Sequence, residues 1–426
     1  MPDLPDQRSG RRIGDEYASV WACGLVFLAF FPYPAVFSLG NSWGFQAAQL
    51  VCLLLLVVRL PHVIKTRSAV AYFWLVGPIL LAYGLAAFAN QLESPDTAFR
   101  TFIVTAVTLL ALPVFGDLLR SFVKDWLPFP VAIAMMINLA LAIYQIIEFG
   151  RGVFPFIEYF HNPSFADLQS ITDVYTAYVA RPGGVFPEPS AMSACLGPWG
   201  IVLLGNAVDA KGRYRVISLV GAFAAGVAVV LSTSVYVVVV MAGYAAVLLF
   251  SRYRSAMALG AVAALGAVIW GVSLVPSSGR LSSGGDASTQ YRYEALVSAL
   301  QLPMESFPRL LAGFGPGQGV AALGSSNHGI SAVVSILMSW WLEGGLIVAV
   351  GVVALVVMAW RRAETSSARI ALVAWLVSVG ATTGYLALLP LWLLLAFILD
   401  CGGRFRSRDE PAVPAATEFQ LTSGVV

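Results

Sequence analysis

RPGGVFPEPS, residues 181–190, sets an arginine, a carboxylate and three prolines around two glycines, directly ahead of an apolar run. Arg181 leads into a Pro-Gly-Gly turn, a backbone whose N–H groups can approach a ligand closely. Glu188-Pro189-Ser190 reads as a helix start, with Pro189 at the first helical position. An arginine beside a helix N-terminus suits an anion such as phosphate. The plainer reading is that Glu188 caps the helix and Arg181 pairs with it.

A second arginine stands in STQYRYEALVSALQLP, 288–303. Helical spacing groups Ala295, Leu296, Ala299 and Leu300 as an apolar stripe, and Glu294, Ser298 and Gln301 as a polar face. Arg292 falls on the apolar side. It is expected to point into the protein, where a buried charge needs an anionic partner; snorkelling along lipid headgroups is the alternative. GFGPGQG, 313–319, lacks a following Lys-Ser/Thr and precedes no evident helix. Gly315 and Gly317 therefore read as shaping a tight loop rather than cradling a nucleotide.

Asn327-His328 stands just before another apolar segment, so Asn327 is expected to cap that helix and leave the imidazole at its N-terminus. That position favours the neutral form a general base requires; an uninvolved interfacial histidine is the alternative. The other histidines, His62 and His161, lie in no motif. Three dispersed histidines and four dispersed cysteines (Cys23, Cys52, Cys195, Cys401) suggest neither a metal site nor a disulfide framework. Glu343, in WWLEGG, is a carboxylate within an apolar segment, either functional or internally paired.

These residues must be held by elements suited to a membrane. The 426 residues are 58% hydrophobic and 11% charged, against about 25% charged in soluble domains. The mean hydropathy is +0.80, and the apolar runs are continuous rather than alternating, which predicts spanning helices. The expected fold is an all-α polytopic membrane protein of about twelve helices. Apolar segments fall near 17–38, 43–60, 69–90, 99–117, 127–148, 189–208, 215–232, 234–251, 256–275, 330–360, 367–383 and 385–400. The 330–360 segment is long for one span, so tilting or a break at Gly344-Gly345 is expected.

With a cytoplasmic N-terminus, all but six of the 25 basic residues share one side, as the positive-inside rule requires. The six are Arg100, Arg151, Arg181, Arg280, Arg292 and Arg309. Two extracytoplasmic loops, about 149–188 and 276–329, then hold nearly all the candidate residues. The expected organisation is a cytoplasmic tail (1–16), a transmembrane domain (17–403) and a second cytoplasmic tail (404–426). The first apolar run is expected to be a retained helix, since no cleavage signal follows it. There is no nucleotide-binding domain and no indication of nucleic-acid binding.

In chain order, RPGGVFPEPS, LSTS (231–234), QYRYEAL, GFGPGQG, NHGIS and WLEGGL resemble the O-antigen polymerase and O-antigen ligase superfamily over about 181–350. The resemblance implies a GT-C-like membrane glycosyltransferase of the bacterial cytoplasmic (inner) membrane, with its site on the outer face. Its donor would be an oligosaccharide on undecaprenyl diphosphate, with no cofactor and no metal. Arg181 and Arg292 correspond to the family's diphosphate-binding loop arginines, and His328 to its histidine before a late helix. His328 is then the first choice of catalytic base and Glu188 the second, with Gly315, Gly317, Asn327 and Glu343 as further site residues. Membrane lipids, a flippase and a chain-length regulator are the expected partners. The serine turn departs from the family pattern, since Val235-Tyr236 follows it where a basic residue is common. A ligase moving finished glycan to a lipid A core shares the donor chemistry. A secondary transporter or lipid-glycan flippase would instead need charged or broken helices at the midplane.

Overall fold

Long apolar runs with few breakers form helix almost throughout the described residues. The computed structural model describes residues 20–32, 35–39, 43–64, 67–89, 95–120, 126–153, 181–186, 188–232, 234, 236–250, 287–325, 335–381 and 388–405. In chain order the helices are α1 (Val20–Ala29), α2 (Ala47–Val63), α3 (Arg67–Ala89), α4 (Pro95–Leu118), α5 (Pro128–Phe149), α6 (Pro189–Asp209), α7 (Gly212–Leu231) and α8 (Tyr236–Phe250). They continue as α9 (Ala287–Gln301), α10 (Phe307–Ala312), α11 (Gly319–Ser325), α12 (Ile336–Arg362), α13 (Ser366–Ala381) and α14 (Leu389–Cys401). A 3-10 turn, Leu302–Glu305, joins α9 to α10. Among the described residues, five helices (α4, α5, α6, α7 and α12) are long and apolar enough to cross a membrane by length and composition. The expected segment near 256–275 lies outside the described residues.

The first expected span, 17–38, is not one helix. After α1 the chain forms strand β1 (Ala35–Leu39), which pairs antiparallel with β2 (Trp43–Gln46). Pro32 explains why the helix does not continue: it has no N–H for a helical bond, and it biases its predecessor to extended backbone.

Helix α6 is the post around which the bundle is built. Every residue from Ala191 to Gly205 is buried, and α6 packs against α5, α7, α8, α13 and α14. Small residues allow this close approach. A Cβ at Gly197 would lie 2.3 Å from Val240 Cγ2, and one at Gly205 would lie 2.3 Å from the Ser367 side chain. Two buried tryptophans tie their ring N–H groups to α14: Trp199 Nε1 donates to the Pro390 carbonyl and Trp375 Nε1 to that of Leu391, both at 2.8 Å.

Charge separates the two ends of the bundle. At one end Asp400 lies 3.2 Å from Arg120 and 3.9 Å from Arg362, drawing together the C-terminal ends of α4, α12 and α14. Arg59 pairs with Asp117 at 3.5 Å on the same side. The starts of α4, α6 and α12 lie at the other end, with the arginine turn and the glycine-rich loop. There α9 to α11 form a small second core of Ala295, Ala299, Leu302, Phe314, Ala322 and Leu323 against Leu342 of α12.

Candidate functional site

Two clusters, on different helices, hold RPGGVFPEPS with the serine turn and GFGPGQG with WLEGGL. The first holds the arginine turn. Two amides seven residues apart on α5, Asn138 and Gln145, share a face and are both buried. Gln145 Oε1 accepts from the N–H groups of Gly183 (3.1 Å) and Gly184 (2.9 Å), while its Nε2 donates to the Gly184 carbonyl at 2.9 Å. Asn138 Oδ1 accepts from Val185 N–H at 3.3 Å, and its Nδ2 donates to the carbonyl of Ala134 at 3.0 Å. Gly184 has φ +58°, and a Cβ there would come within 2.7 Å of Asn138 Oδ1. Only glycine fits.

These bonds correct one expectation: the Gly183 and Gly184 N–H groups face Gln145, not a ligand. What the turn offers instead is a fixed direction for Arg181. Pro182 restricts the residue before it to extended backbone, and Pro182 to Phe186 are buried, with Arg181 half-buried.

Pro189 opens α6 at its first turn, as expected, and Glu188 is the N-cap residue with extended backbone. Its side chain makes no capping bond to the first-turn N–H groups; its Oε2 accepts from Ser190 Oγ at 2.8 Å. One turn deeper, Ser193 hydrogen-bonds Ser232, the residue of the serine turn that follows α7 as its C-cap, and Ser232 Oγ donates to the Val229 carbonyl at 2.6 Å. Ser234 N–H donates back to Ser232 Oγ at 3.3 Å. The serine turn thus finishes α7 and fastens it to α6.

The second cluster is built on a break in α12. Gly345 has φ +61° and ψ −156° within the helix, the interruption expected at Gly344-Gly345. The break presents the Leu342 and Glu343 carbonyls to the glycine-rich loop: Phe314 N–H donates to the first at 2.9 Å and Gly315 N–H to the second at 2.8 Å. The buried Glu343 carboxylate accepts from Tyr83 Oη at Oε2 and from Gly319 N–H at Oε1, 3.3 Å away. A Cβ at Gly315 would lie 2.9 Å from the Ala86 carbonyl, and one at Gly317 2.9 Å from Thr101 Oγ1. The loop is therefore wedged between α3, α4 and α12. It runs directly into α11, where the sequence showed no following helix. Glu343 acts as its clamp, the internally paired alternative of the sequence reading.

Two further expectations change. The helix after Asn327-His328 begins at Ile336, and its N-cap is Ser335, whose Oγ accepts from Met338 N–H at 3.3 Å. Asn327 is not its cap; Asn327 and His328 lie outside the described residues. In α9, Ser298 is buried beside Ala295 and Ala299, whereas Leu296 and Leu300 are exposed. The buried face is thus turned from the expected stripe toward Leu302 and the small core. Arg292 lies in α9 one turn before Ala295, and its side chain is outside the described residues.

The amides were missed in the sequence, although a signal existed. Asn138 and Gln145 interrupt the apolar segment PFPVAIAMMINLALAIYQIIEF at a seven-residue spacing, and polar side chains in such a segment usually have a structural or functional partner. Tyr83 carried no comparable signal, because its partner is 260 residues away.

Compared with known proteins, the chain matches no family model and no curated sequence.

Proposed function

We propose that the chain is a polysaccharide polymerase that joins undecaprenyl-diphosphate-linked repeat units at the outer face of the bacterial cytoplasmic membrane. The observation that carries this reading is the arginine turn: Arg181 is borne on a backbone locked by Asn138 and Gln145, next to the start of α6 and at the end of the bundle away from the Asp400 cluster. With the basic residues inside, that end faces out. A twelve-helix GT-C-like architecture fits this scheme.

In the proposed reaction an acceptor sugar hydroxyl attacks the anomeric carbon of the donor. The carbon–oxygen bond to the diphosphate breaks, and the electron pair leaves with the diphosphate. Arg181 and Arg292 neutralise that leaving group, aided by the positive end of the α6 dipole. The hydroxyl proton passes to His328, with Glu188 as the second choice or as the group that orients an arginine. A single displacement inverts the anomeric centre.

The ligase alternative shares the donor half of this scheme. The transporter alternative gains a broken helix in α12, yet both Glu343 oxygens are engaged by Tyr83 and the glycine loop, which supports a packing role there.

The test is the glycan length on undecaprenyl diphosphate in cells with and without the protein. Single repeat units on the carrier after its loss mark the polymerase; accumulated long lipid-linked chains mark the ligase; unchanged lipid-linked glycan overturns both. Arg181→Ala should abolish transfer while the protein stays in the membrane, and full activity would remove Arg181 from the mechanism.

A further inference from the structure

The opposite, basic end contains a cavity that the glycosyl-transfer reading does not use. It has a volume of about 80 Å³, well above the roughly 10–15 Å³ that one water requires. The end of α6, the start of α7, the start of α13 and the segment after α14 converge on it. Its polar lining includes Asn206, Asp209, Lys211, Tyr214, Ser367 and Arg404. Two cations thus oppose one carboxylate, which favours an anion that also carries hydrogen-bond donors.

The surroundings place this cavity at a lipid headgroup level. The Arg213 guanidinium lies 5.8 Å from the Trp126 ring centroid and 5.2 Å from that of Tyr214. Phe129 joins the group, 5.6 Å from Tyr214. Such aromatic and basic clusters mark membrane interfaces. On its face turned away from Tyr214, α7 exposes Val216 (59%), Val220 (41%) and Phe223 (70%). The neighbouring α5 exposes Ile133 and Met136. This exposed apolar surface, on a helix that also lines the cavity, offers acyl chains a place to lie, and basic pockets between helices on the cytoplasmic side are suited to anionic headgroups.

We propose that this cavity binds the phosphodiester headgroup of an anionic inner-leaflet phospholipid, with its acyl chains along the exposed α5–α7 face. Lys211 and Arg404 hold the phosphate, Tyr214 Oη donates to it, and Asp209 accepts from a headgroup hydroxyl such as those of phosphatidylglycerol. The inference rests on the membrane reading and is independent of glycosyl transfer.

The test is thermal unfolding of the purified full chain in detergent, with added phosphatidylglycerol, phosphatidylcholine or inorganic phosphate. Phosphatidylglycerol should raise the Tm by several degrees, with little effect from the other two. K211Q/R404Q should lose at least half of that shift while keeping its Tm in phosphatidylcholine, whereas R361Q/R369Q, with the same charge change outside the cavity, should keep it. An equal shift in K211Q/R404Q and wild type overturns the proposal. So does an equal response to phosphatidylcholine, or a shift reproduced by inorganic phosphate, which would mark a free-anion site. If the double variant does not fold, native mass spectrometry of K211Q, changed at an exposed position, decides: retained phosphatidylglycerol should fall, and unchanged occupancy overturns the site.

Discussion

Two glycine turns at the same end of the bundle are held by opposite chemistries. The Pro-Gly-Gly turn is held by neutral amides, which engage both its donors and an acceptor and leave Arg181 as its chemical group. The GFGPGQG loop is held by a buried carboxylate and by carbonyls exposed at a helix break, so its own N–H groups are the ones consumed. Both look like anion nests when read as sequence. In both, the backbone donors are occupied by the protein, and a ligand must be met by side chains.

The comparison is tested most severely at Glu343. Glu343→Ala leaves Tyr83 Oη and the Gly319 N–H without their acceptor in a buried setting, a loss of about 3–5 kcal/mol. Thermal unfolding in detergent should show a large drop in Tm. A stable Glu343→Ala would mean that the carboxylate is not the clamp.

Gly345→Ala should follow. Its φ is +61° and its Cβ would lie 2.6 Å from Gly313 N, costing about 2–4 kcal/mol from the left-handed backbone and the clash together. The same unfolding measurement checks it, and an unchanged Tm would show that the break can close into regular helix.

Gln145→Ala deprives two N–H groups and one carbonyl of their partner, at about 2 kcal/mol. Its sharper effect is expected on transfer, because the turn that aims Arg181 loses its support. A variant that loses stability but keeps full transfer would separate the turn from the chemistry. Gly24→Ala is the opposite extreme: nothing lies within 4 Å of the added Cβ, so the change in stability should stay within about 0.5 kcal/mol.

Much of this was legible in the chain. The apolar segment near 189–208 became α6 (Pro189–Asp209) because Pro189 and the polar run that begins at Asp209 punctuate it. The segment near 127–148 became α5 in the same way. The break near Gly344-Gly345 was visible as two glycines in an overlong run. Errors arose where local pattern competed with distant packing. In α9 the apolar stripe pointed to Leu296 and Leu300, but the small residues Ala295, Ser298 and Ala299 fit more closely against the core containing Leu342. The strand at 35–39 was hidden by hydrophobicity alone, which does not distinguish a short apolar strand from a helix.

By itself the sequence determined that this chain forms apolar helices, where most of them begin and end, and which end of the bundle gathers the positive charge. Those properties follow from local composition, from proline and glycine, and from the cost of leaving backbone groups unpaired in an apolar medium. Tertiary structure alone decided what the turns are for. The partners of Gly183, Gly184 and Gly319 lie 24 to 39 residues away in sequence, and that of Tyr83 lies 260 away. A hydrogen bond depends on distance and direction in space, and neither is written in the spacing of residues along a chain.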